Sequence, residues 1–278
     1  MKPLRILAFG AHPDDCEIFA GGCAAMWALQ GHKVKFVSTT NGDVGHAFKS
    51  GKELAAIRKK EVEEAAAVLG IETEVLDIHD GELMPTLENR LTFVRLIREW
   101  QADIIIGHRP YDYHPDHRYT GVLMQDAAFM VTVKHTLPEV PCLTHNPVFL
   151  YSFDNFQTPI PFNPTIAVPV DSSIEQKMDA LWCLESQIES LWYKGNFVET
   201  CSVPKDPIER EQRKKEFFDQ FTPRWSKQAD LYRNLIEQNY GSEMASKTKY
   251  AEAFEVCEYG RQPSRKELLE LFPQLSIQ

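Results

Sequence analysis

The chain has 278 residues, 43% of them apolar and 25% charged, a composition that excludes a disordered polymer and a small disulfide-stapled scaffold. Forty acidic residues against 30 basic ones leave a net charge of −10, which gives nucleic acid no electrostatic reason to bind. The opening apolar stretch, Ile6 to Phe9, is too brief for a signal-peptide core or a transmembrane span, so the expectation is a cytoplasmic protein. The six cysteines (Cys16, Cys23, Cys142, Cys183, Cys201 and Cys257) form no Cys-x-x-Cys pair and read as buried free thiols.

In chain order, Leu4–Phe9, Lys33–Thr39, Glu74–Asp77 and Asp103–Gly107 read as strands, separated by amphipathic helices at about Glu17–Leu29, Glu53–Leu69 and Asn89–Trp100. That alternation predicts a Rossmann-like, doubly wound and mostly parallel α/β sheet whose order begins 3-2-1-4. The switch point then lies between the first and fourth strands, where ligands bind in such sheets. A helix at Asp116–Met130 follows, then Pro-punctuated strands at Val148–Phe153 and Thr165–Val170 and a helix at Ile174–Leu191. Pro204–Asn239 reads as two helices broken at Pro223, with an apolar stripe of Phe217, Phe218, Phe221, Trp225 and Leu231. No linker, repeat or low-complexity tract divides the chain. The expectation is one α/β domain over residues 1–278, with added C-terminal strands and a helical elaboration from about 204 to 278. The stripe also leaves room for a homo-oligomer.

The residues that carry chemistry follow the first and fourth strands. Ala11-His12-Pro13-Asp14-Asp15-Cys16-Glu17 comes directly after the first, and its proline suits the first position of a helix. Acids are favoured at that end of the helix dipole, but three within four residues repel one another and call for a cation. His12 and Asp15, three apart across a turn, can reach one ion, while Asp14 points elsewhere and is free to take a proton. His114-Pro115-Asp116-His117 repeats the same grammar after the fourth strand. Imidazole and carboxylate donors suit zinc, with iron(II) as an alternative, and three protein ligands plus a water describe a catalytic site. The set is His12, Asp15 and His117, with Asp14 as general base and His114 as oxyanion stabiliser or proton donor. One such string alone could be a capped helix start; two at the same sheet edge argue for chemistry. The isolated His32, His46, His79, His108, His135 and His145 receive no role.

These strings resemble the LmbE-like, or PIG-L, family of metal-dependent N-deacetylases. Thr40-Asn41-Gly42-Asp43-x-Gly45, Arg58-x-x-Glu61 and Asp80-Gly81 add to the resemblance, which covers roughly the first 130 residues. It implies a Rossmann-like fold, zinc at His12, Asp15 and His117, Asp14 as base, and His114 as the assisting histidine with Asp116 alongside to orient it. It also implies sugar contacts from Arg58 and Asp80, and a small-molecule substrate of the N-acetylglucosamine type. Further on the pattern departs: Leu184 stands where many members have histidine, Asp112 where some have tyrosine, and Glu252-Ala253-Phe254 is a weak echo of a C-terminal signature. Amidase action on a thiol conjugate or other non-acetyl amide is the alternative, and an inactive binding relative a further one. A nucleotide-binding module is disfavoured, because His-Pro-Asp-Asp replaces the glycine-rich turn and its acids would repel a pyrophosphate.

Overall fold

The computed structural model describes residues 2–189, 203–273 and 275. Strand β1 (Arg5–Gly10) is buried from Ile6 onward, as an unbroken apolar run must be when both faces of its sheet are covered. Helix α1 (Asp15–Leu29), β2 (Lys33–Ser38), α2 (Gly51–Leu69), β3 (Glu72–Val75), α3 (Leu87–Trp100), β4 (Ile104–Gly107) and α4 (Pro115–Met130) then alternate. They are followed by β5 (Val148–Ser152), β6 (Ile166–Pro169), α5 (Ile174–Trp182) and the single turn α6 (Glu185–Gln187). The chain closes with α7 (Pro207–Phe221), α8 (Pro223–Leu231), α9 (Arg233–Tyr240), α10 (Ser242–Lys247), β7 (Ala251–Gly260) and α11 (Arg265–Leu271).

The sheet order is β3-β2-β1-β4-β5-β7-β6. The first five of these strands run parallel, and β7 is antiparallel to both β5 and β6. The 3-2-1-4 start is the one expected, so β1 and β4 are neighbours, with Phe9 opposite Gly107, and the loops after them open on one edge. One face of the sheet packs a core that includes Trp27, Phe36, Phe217 and Trp225. The other packs Phe9, Phe93, Leu123 and Phe149, with Phe9 and Phe93 stacked at 4.4 Å. Among the described residues no helix is long and apolar enough to cross a membrane.

Four expectations need correction. β3 lies two residues earlier than Glu74–Asp77; it is an edge strand with no buried residue, so its apolar pattern is weak, and Asp77 instead accepts a hydrogen bond from the Asn41 side chain. The helix expected to run from Ile174 to Leu191 stops at Trp182, and its last two residues lie outside the described ones. It stops because buried Glu61 accepts the N–H and hydroxyl of Ser186 at 2.7 and 2.6 Å, and Arg58 donates to the Gln187 side-chain amide oxygen at 2.9 Å, pulling the chain inward. Residues 204–239 hold three helices, since the chain breaks again at Tyr232; Phe217, Phe221 and Trp225 are buried as the stripe implies, but Leu231 is 56% exposed. The region read as helical elaboration also supplies β7. Its Glu252, fully buried, pairs with Lys177 at 2.6 Å and accepts the N–H groups of Gly22 and Cys23, which ties β7 to the middle of α1. The described cysteines are free thiols, with Cys142 and Cys183 only partly buried and Cys201 outside the described residues.

Candidate metal centre and active site

Two loops assemble the site. After β1 the chain turns tightly: the His12 carbonyl accepts the N–H groups of Asp14 and Asp15, and the Asp15 carboxylate accepts the His12 N–H at 2.8 Å. Gly10 permits this, because a Cβ there would lie 2.8 Å from the Asp15 Cβ. The turn consumes Pro13 and Asp14, so α1 begins at Asp15, and Pro13 lies ahead of the helix instead of at its first position. After β4 the expectation holds: Pro115 is the first helical residue and His114 the cap, its Nδ1 accepting the Asp116 N–H at 3.2 Å.

The two loops bring three donor atoms together. His12 Nδ1 and His117 Nε2 are 3.2 Å apart, and Asp15 Oδ2 is 3.5 Å from each. Tetrahedral zinc with ligand distances of about 2.0–2.1 Å places its donors about 3.3–3.4 Å apart, so the triangle matches. The opposite nitrogens are engaged: His12 Nε2 faces Asp80 Oδ1 at 3.1 Å and Asp116 Oδ2 at 3.3 Å, and His117 Nδ1 faces Asp112 Oδ2 at 3.1 Å. With the ring protons directed to these carboxylates, the nitrogens of the triangle present lone pairs to each other and to a carboxylate. A divalent cation held between them would satisfy all three donors at once.

The electrostatics agree. Burial lifts the Asp14 carboxyl to about 7, helped by the charge of Asp15, and no described residue hydrogen-bonds its side chain. Burial would also lift Asp15, but His117 and His108 outweigh it and hold Asp15 well below the usual carboxylate range. Burial lowers His114, and the neighbouring His12 and His117 lower it further, which favours the neutral ring. Since its Nδ1 is an acceptor, its Nε2 carries the proton. Burial opposes the charged form of His12, yet Asp116, Asp15 and Asp80 together hold its pKa well above 6.5, so the pocket favours positive charge.

The remaining expected residues have internal partners. Asp116 does not orient His114 through its carboxylate, which lies 3.9 Å from His114 Nδ1; it accepts Gly81 N–H at 2.7 Å and Leu83 N–H at 3.2 Å, anchoring the β3–α3 loop. Arg58, 1% exposed, donates to the Gly45 carbonyl at 2.6 Å, and its Nη1 is 4.0 Å from Asp80. Gly42, at φ +68°, makes room for it: a Cβ would sit 2.7 Å from Arg58 Nη1. Arg58 and Glu61 are therefore inward-facing residues of α2.

Two residues with no assigned role belong to the site. Asp112 orients His117, and its other oxygen accepts the His114 N–H at 3.0 Å. His108 stacks on His117 at 4.2 Å; its Nε2 accepts the Ala11 N–H at 3.2 Å, which makes it a wall of the site. Its signal in the sequence was position: it follows the last residue of β4, at the switch point. Of the other histidines, His79 bonds Asp43 at 2.7 Å.

Residues 7–128 match the family profile PIG-L, described as GlcNAc-PI de-N-acetylase. The diacetylchitobiose deacetylase of Thermococcus kodakarensis is 30% identical over 195 residues, 68% of this chain and 72% of that protein. The chain belongs to the PIG-L family. This PIG-L chain is also 26% identical to the 4-oxalmesaconate hydratase of Pseudomonas putida over 197 residues, 67% of this chain and 74% of that one. Its fold overlays on the N,N'-diacetylchitobiose deacetylase of Pyrococcus horikoshii with a TM-score of 0.66 at 24% identity, covering 91% of this chain and 83% of that one. Both curated relatives are enzymes, and so is this PIG-L chain.

Proposed function

We propose that this PIG-L protein is a zinc-dependent N-deacetylase that releases acetate from an N-acetylglucosamine-type sugar or glycoconjugate, with His12, Asp15 and His117 holding the ion. Bound by these three residues, zinc would supply Lewis-acid polarisation of the amide carbonyl and a lowered pKa for the attacking water. Asp14, buried and unpaired, takes the proton of the attacking water and returns it to the departing amine. His114 offers its Nε2–H to the oxygen that gains charge as the carbonyl carbon becomes tetrahedral. Asp112, Asp80 and Asp116 fix the rings of His117 and His12, and buried Arg58, with its Nη1 4.0 Å from Asp80, stands behind that carboxylate.

The observation that carries this reading is the triangle of lone-pair donors with edges of 3.2 to 3.5 Å, each histidine backed by a carboxylate. Elemental analysis of the purified protein together with acetate release from N-acetyl sugars tests it. We expect about one zinc per chain, and activity that is lost on chelation and returns with metal. Full turnover by chelated, metal-free enzyme would remove the metal from the reaction. The relationship to a hydratase supports a second reading, addition of water across a carbon–carbon double bond by the same base and ion. Consumption of an unsaturated carboxylate with no acetate released from any N-acetyl sugar would assign the site to that reaction.

A further inference from the structure

Helix α1 carries Asp15 in its first turn, and one turn later its backbone is taken up by side chains from distant parts of the chain. In an unbroken helix the Ile18 carbonyl and the Gly22 N–H would bond each other. Here the Ile18 carbonyl accepts hydrogen bonds from the Lys177 ammonium at 2.6 Å and the Trp225 indole N–H at 3.2 Å. The Gly22 and Cys23 N–H groups donate to the two oxygens of Glu252, each at 2.8 Å, and the Ser173 hydroxyl donates to the Gly22 carbonyl at 2.9 Å. The first turn of α1 therefore finishes as a helix end does, with a cation on its carbonyl, and the remainder begins as a helix start does, with a carboxylate on its N–H groups. Glycine at 22 permits this approach, because a Cβ there would lie 2.9 Å from the Val170 Cβ and 3.0 Å from Glu252 Oε1.

The inserted pair is dry and fixed. The Lys177 and Glu252 side chains are both 0% exposed and meet at 2.6 Å, and the ammonium rests 3.8 Å over the Trp225 ring. A pair buried in this way is a weak source of stability, since taking two charges out of water costs about as much as their attraction returns. Geometry gives it a better reason. Ile18 joins the pair to the site: its N–H bonds the Asp14 carbonyl at 3.0 Å while its own carbonyl holds Lys177. Asp14 and Asp15 lie in the turn so held. Lys177, Trp225 and Glu252 all fall outside residues 7–128, the stretch that matches the family profile, so the rest of the chain reaches the site through this contact.

We propose that the Lys177–Glu252 pair is a positioning device, which holds α1 open between Ile18 and Gly22 and so sets its first turn, with Asp14 and Asp15, at the angle the donor triangle needs. Without the pair, the Ile18 carbonyl and the Gly22 N–H close on each other and the first turn meets His117 at a different angle. The effect on turnover rests on the deacetylase reading above, whereas the effect on metal geometry rests on the donor triangle alone.

The test compares the wild type with Glu252→Gln, Lys177→Met and the double variant Lys177→Met/Glu252→Leu. Ile97→Ala, a cavity in the core on the other face of the sheet, is the control. Each protein is read by melting temperature, by the visible spectrum of its cobalt(II)-loaded form, and by kcat and KM for acetate release. Both single variants should melt lower, because each leaves a buried charge without its partner. The double variant frees α1 to complete an ordinary ladder and should regain most of that stability. It should nevertheless show an altered cobalt spectrum and a kcat lowered by about 10- to 100-fold, with KM little changed. Ile97→Ala should melt lower and keep the wild-type spectrum and kcat. A double variant with wild-type spectrum and kcat overturns the proposal, and so does an activity that merely follows melting temperature through all four variants. If the wild type binds cobalt but releases acetate from no N-acetyl sugar, the deacetylase reading falls and the spectra alone decide the role of the pair.

Discussion

At the end of β1, His12-Pro13-Asp14 lies ahead of its helix, whereas at the end of β4 His114-Pro115-Asp116 already begins one, and this offset of two residues gives like residues unlike surroundings. In the first string the histidine faces the donor triangle and the aspartate after the proline is left buried without a partner. In the second the histidine is a helix cap with a defined protonated nitrogen, the aspartate is an anchor for the β3–α3 loop, and the donor is the next residue, His117. The comparison teaches that matching strings at one sheet edge need not place matching roles, because the turn that precedes each helix decides which side chain reaches the centre.

The largest effect expected is from Asp14→Asn, which keeps the shape and removes the base: kcat should fall by about 10²–10⁴-fold with zinc still bound, as elemental analysis and acetate release would show. Asp116→Asn, the equivalent change in the other string, should lower melting temperature and weaken zinc binding by about 10–100-fold, but leave kcat of the zinc-loaded enzyme far less affected than Asp14→Asn does. A reversal of these two outcomes would break the contrast drawn above. His114→Ala comes next, lowering kcat by about 10²–10³-fold through loss of the oxyanion donor. It should also cost about 1 kcal/mol of stability through loss of the cap, read from urea unfolding. Asp112→Asn removes the carboxylate behind His117 and should weaken zinc binding by about 10–100-fold in a competition assay with a chelator. The smallest change expected is Pro115→Ala, about 0.4–1 kcal/mol of destabilisation, because its ring pre-sets the first helical φ. Pro13→Ala should leave α1 intact, as circular dichroism would report, since Pro13 lies outside it.

Much of this was legible in the sequence. The β-branched and aliphatic runs of β1, β2 and β4 are buried on both faces, so their composition announces them, and strict βα alternation leaves few topologies in which β1 and β4 are not neighbours. The two strings could therefore be read as facing one another. Asp112 and His108 could not be read as partners of the site, because their roles depend on distances of a few ångströms across residues without a repeating pattern. The C-terminal region resisted for a related reason. β7 is inserted between β5 and β6 after six described helices, α5 to α10, and its Glu252 meets Lys177 from far along the chain, a pairing with no local signature.

The sequence alone determined the parallel sheet, its switch point and the residue types gathered there, since hydrophobic periodicity and the chirality of βαβ connections are properties of local segments. Only the tertiary structure decided which nitrogen of each histidine faces the centre and which aspartate is left without a partner among the described residues. Those depend on side chains from distant segments competing for the same few hydrogen-bonding positions, and that competition is settled when the segments pack.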